Sequence, residues 1–142
     1  MYKYSYKSNS RLITCHKDIQ TIFNLAIKYI DISILEGHRP EKKQNKNFYS
    51  GKSKVKWPNG KHNSLPSKAI DATPYPVPKG WGQGSRDELE KFRYMAFYLI
   101  GLADALYEEG AISHRLRWGG DWDKDHDILD QTFEDLVHFE LY

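Results

Sequence analysis

His62 and Asp71 stand nine residues apart, and His138 lies 67 residues beyond Asp71. Two imidazoles and one carboxylate make the donor set of a catalytic zinc site, three protein ligands with a fourth position left for water. Cys15 is the only cysteine. No internal disulfide can form, and any metal must be held by histidine and carboxylate. Asp135 precedes His138 by three residues, where a carboxylate could act as general base on a reacting water. His138 and Glu140 alternate with Val137, Phe139 and Leu141, so they share the polar face of a strand. Glu140 is suited to orienting a ligand or lining the edge of the site. The same residues also fit a blander reading, with Asp135 a turn acid and His138 a half-exposed strand residue.

Further polar and aromatic groups stand near these. Arg39 follows a candidate strand and is the natural partner of a substrate carboxylate or a developing oxyanion, with Gln44 five residues on. Trp118-Gly119-Gly120-Asp121-Trp122 sets two aromatics around a turn. Gln44, Trp118, Asp121 and Glu140 are the expected substrate contacts. Asp121, Asp123, Asp125 and Asp127 alternate like the first half of a calcium loop, but His126 occupies the position where an EF-hand needs glycine. The stretch reads as a non-EF calcium site or as a solvated acidic loop.

The elements that must carry these residues follow from periodicity. Ile19, Ile22, Phe23, Ala26, Ile27 and Ile30 predict an amphipathic helix over Lys17 to Ile30. Ser85 and Glu88 form a capping box for a second helix running to about Glu109, with Gly110 as its stop. Short strands are predicted at Ile32 to Leu35, Lys68 to Thr73, Leu116 to Trp118 and Leu136 to Tyr142. Pro74, Pro76 and Pro78 end the second of them. Met1 to Ser10 reads as an arm or edge segment. The stretch from His38 to Ser67 reads as a long functional loop. Helices and strands are mixed without regular βαβ order, which predicts an α+β fold with a small, mostly antiparallel sheet.

At 142 residues the chain is one domain's worth of polypeptide, expected as a single domain over 1–142 with no room for a separate second one. Aromatic residues reach 14%, far from the composition of a disordered chain. No apolar run is long enough for a membrane helix, and Met1 to Ser10 has no signal-peptide core. The net charge of +2 hides a split. Residues 37–62 carry +7 (Arg39, Lys42, Lys43, Lys46, Lys52, Lys54, Lys56 and Lys61 against Glu41). Residues 118–142 carry −7 (Asp121, Asp123, Asp125, Asp127, Asp130, Glu134, Asp135 and Glu140 against Lys124). The two are expected as separate surfaces.

Four blocks resemble one family. Lys61-His62-Asn63-Ser64-Leu65-Pro66-Ser67-Lys68-Ala69-Ile70-Asp71, continuing through Pro74, Tyr75 and Pro76, looks like the metal-binding signature of zinc D-Ala-D-Ala and L-alanyl-D-glutamate peptidases, in its phage form. Glu36-Gly37-His38-Arg39 with Gln44, the block Leu116 to Trp122, and Asp135-Leu136-Val137-His138-Phe139-Glu140 resemble the remaining elements, in family order. The resemblance implies a Hedgehog/DD-peptidase-like domain holding one zinc ion through His62, Asp71 and His138. Asp135 matches the acid/base, and Arg39 the arginine that binds substrate or its polarised carbonyl. His62 and Asp71 are two residues further apart than in the commonest family form, and Pro66-Ser67 is expected to take up the excess as a bulge. The implied activity is hydrolysis of peptidoglycan stem peptides, with L-alanyl-D-glutamate endopeptidase action as a phage endolysin first. A D-alanyl-D-alanine carboxypeptidase or dipeptidase is the close alternative, and a non-catalytic wall-binding or virion module a distant one. Nucleic-acid binding through residues 38–61 would make the acidic tail a liability. No nucleic-acid partner and no membrane insertion are expected. The expected form is a monomer held in the host cytoplasm until it is released to the wall.

Overall fold

The computed structural model describes residues 1–142. Its centre is a four-stranded antiparallel sheet in the order β1-β2-β4-β3. The strands are β1 (Ile32–Glu36), β2 (Ala69–Pro74), β3 (Leu116–Gly119) and β4 (Asp135–Leu141). Register places Asp71 opposite His138 in the two central strands and Arg117 opposite Glu140.

One face of the sheet is apolar. Ile34, Ile70, Ala72, Leu116, Phe139 and Leu141 bury it against two helices, α2 (Lys17–Ala26) and α4 (Arg86–Glu108). Helix α2 supplies Ile19, Ile22, Phe23 and Ala26, and α4 supplies Phe92, Met95, Ala96, Leu99 and Ala103, each set at helical spacing. Ser85 caps α4 by accepting from the Glu88 N–H, and Gly110 follows the helix at φ 76°. Helix α2 ends earlier than its apolar stripe predicts. After Ala26 the N–H groups of Lys28 and Tyr29 turn to carbonyls three residues back, and this tightening brings the chain round into β1.

Two short helices escaped the periodicity. The N-terminal arm contains α1 (Tyr6–Leu12), capped by Ser5. It buries only Ser8 and Leu12, so it has no stripe to read. Its work is at the edge strand: Ser8 Oγ accepts from Ile34 N at 3.1 Å and Arg11 donates to Ile34 O at 2.8 Å. These bonds occupy the groups that an open sheet edge leaves bare. The stretch expected as one long loop contains α3 (Glu41–Tyr49) and a 3-10 turn at Lys61–Asn63. Helix α3 buries Gln44 alone, which leaves no apolar period in its sequence.

Candidate active site

The open face of the sheet carries the polar residues of the central strands. His62 enters from the 3-10 turn and is 3% exposed. Its Nδ1–H donates to the Gly37 carbonyl at 2.8 Å, which leaves Nε2 facing Asp71 Oδ1 at 3.1 Å. His138 Nδ1 lies 3.3 Å from the same Asp71 oxygen, and its Nε2–H donates to Glu140 at 3.1 Å. Each imidazole therefore has its outer nitrogen held by an acceptor and its inner nitrogen aimed at a common point, the outer-shell arrangement of histidines that ligate metal. Donor atoms around a tetrahedral ion with bonds of 2.0–2.1 Å lie about 3.3 Å apart. The two contacts to Asp71 Oδ1, at 3.1 and 3.3 Å, fit that spacing.

Gly37 makes the turn behind His62 possible, because a Cβ there would stand 2.3 Å from Thr14 Oγ1 and 2.4 Å from the Arg11 carbonyl. The longer path from His62 to Asp71 is accommodated by a loop docked on the segment between α1 and α2. There His16 N donates to Ser67 O at 2.8 Å and Ser67 N to Thr14 O at 2.9 Å.

Electrostatics follow from this crowding. Burial works to raise the Asp71 carboxyl, but hydrogen bonds from His138 and His62 hold it well below the usual carboxylate range. Burial works to lower His138, yet its bonds to Asp71 and Glu140 and the charge of Asp135 push it up to about 9. Asp135 lines the same cleft, and burial together with the charge of Asp71 raises it above an ordinary aspartate, as suits a proton carrier. Burial pushes the Cys15 thiol up to about 12, so it offers no thiolate.

Arg39 reaches the cleft with its guanidinium 3.6 Å from Asp71 Oδ2, while donating to Glu36 and to Gln44 at 3.1 Å. Glu140 is buried beside His138 and paired with Arg117 at 3.2 Å. The remaining expected substrate contacts are placed differently. Gln44 is 1% exposed: its oxygen accepts from Arg39 and Asn63, so it braces Arg39 from behind. Trp118 is 1% exposed in the apolar core, where its indole donates to Leu136 O. Asp121 is 2% exposed and accepts from the backbone of Lys124 and His126, closing a turn outside the cleft. None of the three lines the cleft. Asp121, Asp123 and Asp125 bring oxygens close together, whereas Asp127 instead accepts from Leu129 N.

The aromatic at the cleft is Trp122, whose ring lies 5.6 Å from His138 and stacks on Phe133 at 6.3 Å. Sequence reasoning missed both Trp122 and Phe133. The tryptophan motif did signal an aromatic, but not which of its two ends faces the open side. The cleft holds about 360 Å³. Asn47, Gly51 to Val55 and Lys61 form one wall, and Trp122, Phe133 and Asp135 the other. Residues of the basic and acidic segments, expected as separate surfaces, thus meet around one cleft, though of the acidic segment's carboxylates only Asp135 and Glu140 line it, and Lys54 lies 5.1 Å over the Phe133 ring. A larger groove of about 720 Å³ opens among Tyr2, Tyr29, Tyr75 and Tyr94, and none of the expected site residues lines it.

Fold and donor set together define the class: an α+β peptidase domain whose open sheet face carries a His-Asp-His cluster beside an acid. The sequence pattern of the phage L-alanyl-D-glutamate peptidases matches residues 1–142, and the chain belongs to that family. It is a peptidase acting on peptidoglycan. The crystal structure of Serratia marcescens L-Ala D-Glu endopeptidase ChiX has the same fold, with a TM-score of 0.65 at 23% identity over 99% of this chain and 90% of that one. No curated protein matches the sequence.

Proposed function

We propose that the chain is a zinc-dependent endopeptidase that cleaves the L-alanyl-D-glutamate bond of stem peptides and works as a phage endolysin. The observation that carries this is the convergence of His62 Nε2, Asp71 Oδ1 and His138 Nδ1, with each outer imidazole nitrogen tied off. Those three residues would hold the ion. Bound zinc supplies a Lewis acid for the scissile carbonyl and lowers the pKa of a water toward about 7. Asp135 takes the proton of the attacking water and delivers it to the leaving amine. Arg39 aims Asp71 and presents positive charge to the polarised carbonyl or to a substrate carboxylate. Lys52, Lys54 and Lys61 on the same wall favour a carboxylate-bearing peptide. Glu140 keeps the His138 ring in the orientation that turns Nδ1 inward. In this reading the protein acts as a monomer, accumulating in the host cytoplasm before release to the wall.

The test is mass spectrometry of fragments freed from purified peptidoglycan, with chelator and with zinc restored. New alanine carboxyl and glutamate amino termini that vanish with chelator are the expected result. Loss of terminal D-alanine alone would move the assignment to a carboxypeptidase, and no cleavage at all would overturn it.

A further inference from the structure

A second hollow, of about 280 Å³, shares Asp135 with the cleft. Three apolar residues line it. Leu136 and Val137 follow Asp135 along β4, and Leu35 comes from β1. The β1 pairing slips here, with Ile34 opposite Ala72 and Glu36 opposite Asp71. Leu35 is therefore the extra residue of a bulge, a device that re-aims a side chain. Trp81 joins the lining from the turn at Lys79–Gly82, between β2 and α4. Gln83 and Glu134 are the other polar members, and no lysine or arginine lines the hollow.

Trp81 is held under strain. Its backbone is left-handed at φ 53° and ψ 40°, between Gly80 at φ 59° and Gly82 at φ 82°. Glycine adopts that conformation freely, whereas a bulky residue there costs about 1–3 kcal/mol. The turn itself is fixed, since a Cβ on Gly82 would stand 2.8 Å from the Phe92 ring and 3.2 Å from Leu136. Burial does not account for a tryptophan that is 54% exposed. A rigid turn thus presents a flat aromatic face beside the acid of the active site, where strain and exposure together mark a ligand contact.

We propose that Trp81 is a platform for the muramyl sugar ring from which the stem peptide hangs, and that it makes the protein prefer glycan-bound over free stem peptide. The inference rests on the L-alanyl-D-glutamate reading, in which the alanine beside the cut bond is amide-linked to the lactyl group of N-acetylmuramic acid. The ring then lies one residue from the carbonyl that Asp135 serves. Stem peptides carry no aromatic side chain, whereas the C–H face of a sugar ring is what an indole stacks on. Gln83 and Glu134 suit its hydroxyls and its acetamido N–H. Charge gives the direction. Free carboxylates of the stem are drawn to Lys52, Lys54 and Lys61 in the cleft, and Glu134 and Asp135 repel them from the hollow, which is left to the uncharged sugar. Its size, about 280 Å³ against roughly 300–1,000 Å³ for drug-sized pockets, suits one ring and not a chain.

Two measurements test this on the full-length chain. The first compares kcat/KM on N-acetylmuramyl-L-alanyl-D-glutamyl peptide with that on the same peptide bearing only the lactyl group, with zinc supplied. The sugar should raise kcat/KM about tenfold in wild type. Trp81→Asn, a residue that accepts the left-handed backbone, should abolish that ratio, and Trp81→Tyr should keep most of it. A wild-type ratio near one would overturn the proposal. So would a Trp81→Asn variant that slows both substrates alike and keeps the ratio, the result of a merely structural role. Should Trp81→Asn lose its fold by circular dichroism, Trp81→Gly takes its place. The second measurement needs no turnover. A glycan disaccharide without peptide, at millimolar concentration, should shift one indole N–H signal in heteronuclear NMR spectra, the one missing from Trp81→Tyr. An unmoved signal would overturn the sugar site. A shifted signal in a chain that cuts neither peptide would instead end the cleavage reading and leave the sugar site standing.

Discussion

Asp71 receives both cleft histidines on one oxygen and Arg39 on the other, so its geometry is set from three directions. Such a cluster titrates in a way that can be measured. In the metal-free chain His138 is raised on folding to about 9, from an unfolded value near 6.5. It therefore stabilises the folded chain below about pH 6.5, and that contribution fades as the pH rises through about 9. Zinc must displace the Nδ1 proton, so uptake at pH 7.5 should release about one proton, measurable by calorimetry in buffers of different ionisation enthalpy. Asp135→Asn should keep zinc and lose roughly 10²–10⁴-fold in turnover. Because Asp135 is raised, the acid limb of the wild-type pH–rate profile should lie above the ordinary aspartate range and vanish in that variant. Glu140→Gln should cost about 10–100-fold in metal affinity or activity. These residues were singled out in the sequence because four blocks in family order pointed to them, whereas their spacing alone fitted a turn acid and a half-exposed strand histidine as well. The placing of Trp118 and Asp121 was not legible, since a residue type says nothing of which side of a sheet it faces. The burial of Gln44 depends on α3, which has no apolar stripe to reveal it.

Among the elements, those with an apolar period were legible and those defined by polar contacts were not. Helices α2 and α4 announce themselves through buried residues at helical spacing, whereas α1 exists to hydrogen-bond a strand edge. The junction of β3 and β4 is equally local. A Cβ on Gly119 would stand 2.3 Å from the Asp135 carbonyl, just where the pairing register shifts. Gly119→Ala should destabilise the fold by about 1–3 kcal/mol and depress activity by moving Asp135. Gly101, inside α4, is its control, since a methyl group added there would meet nothing within 4 Å. Gly101→Ala should stabilise by about 0.5–1 kcal/mol, leaving activity unchanged. Urea denaturation of both variants checks the pair of signs.

At the scale of the molecule, the sequence showed two blocks of opposite charge but not their relation, because sequence separation carries no information about which loops meet over a sheet. Parts of both meet around a cleft of about 360 Å³. Seen from beyond a Debye length of roughly 10 Å at 0.1 M salt, opposite charges set that close largely cancel. Long-range steering should therefore be weak, and kcat/KM on a soluble stem peptide should change little between low and moderate salt. A steep loss would mean that the basic wall acts alone. Inside the gap the contributions add instead of cancelling. The cleft therefore holds a short electric gradient, from Lys52, Lys54 and Lys61 to Asp135 and Glu140, and a peptide bearing both carboxylate and amine should prefer one of its two orientations there before any bond is touched.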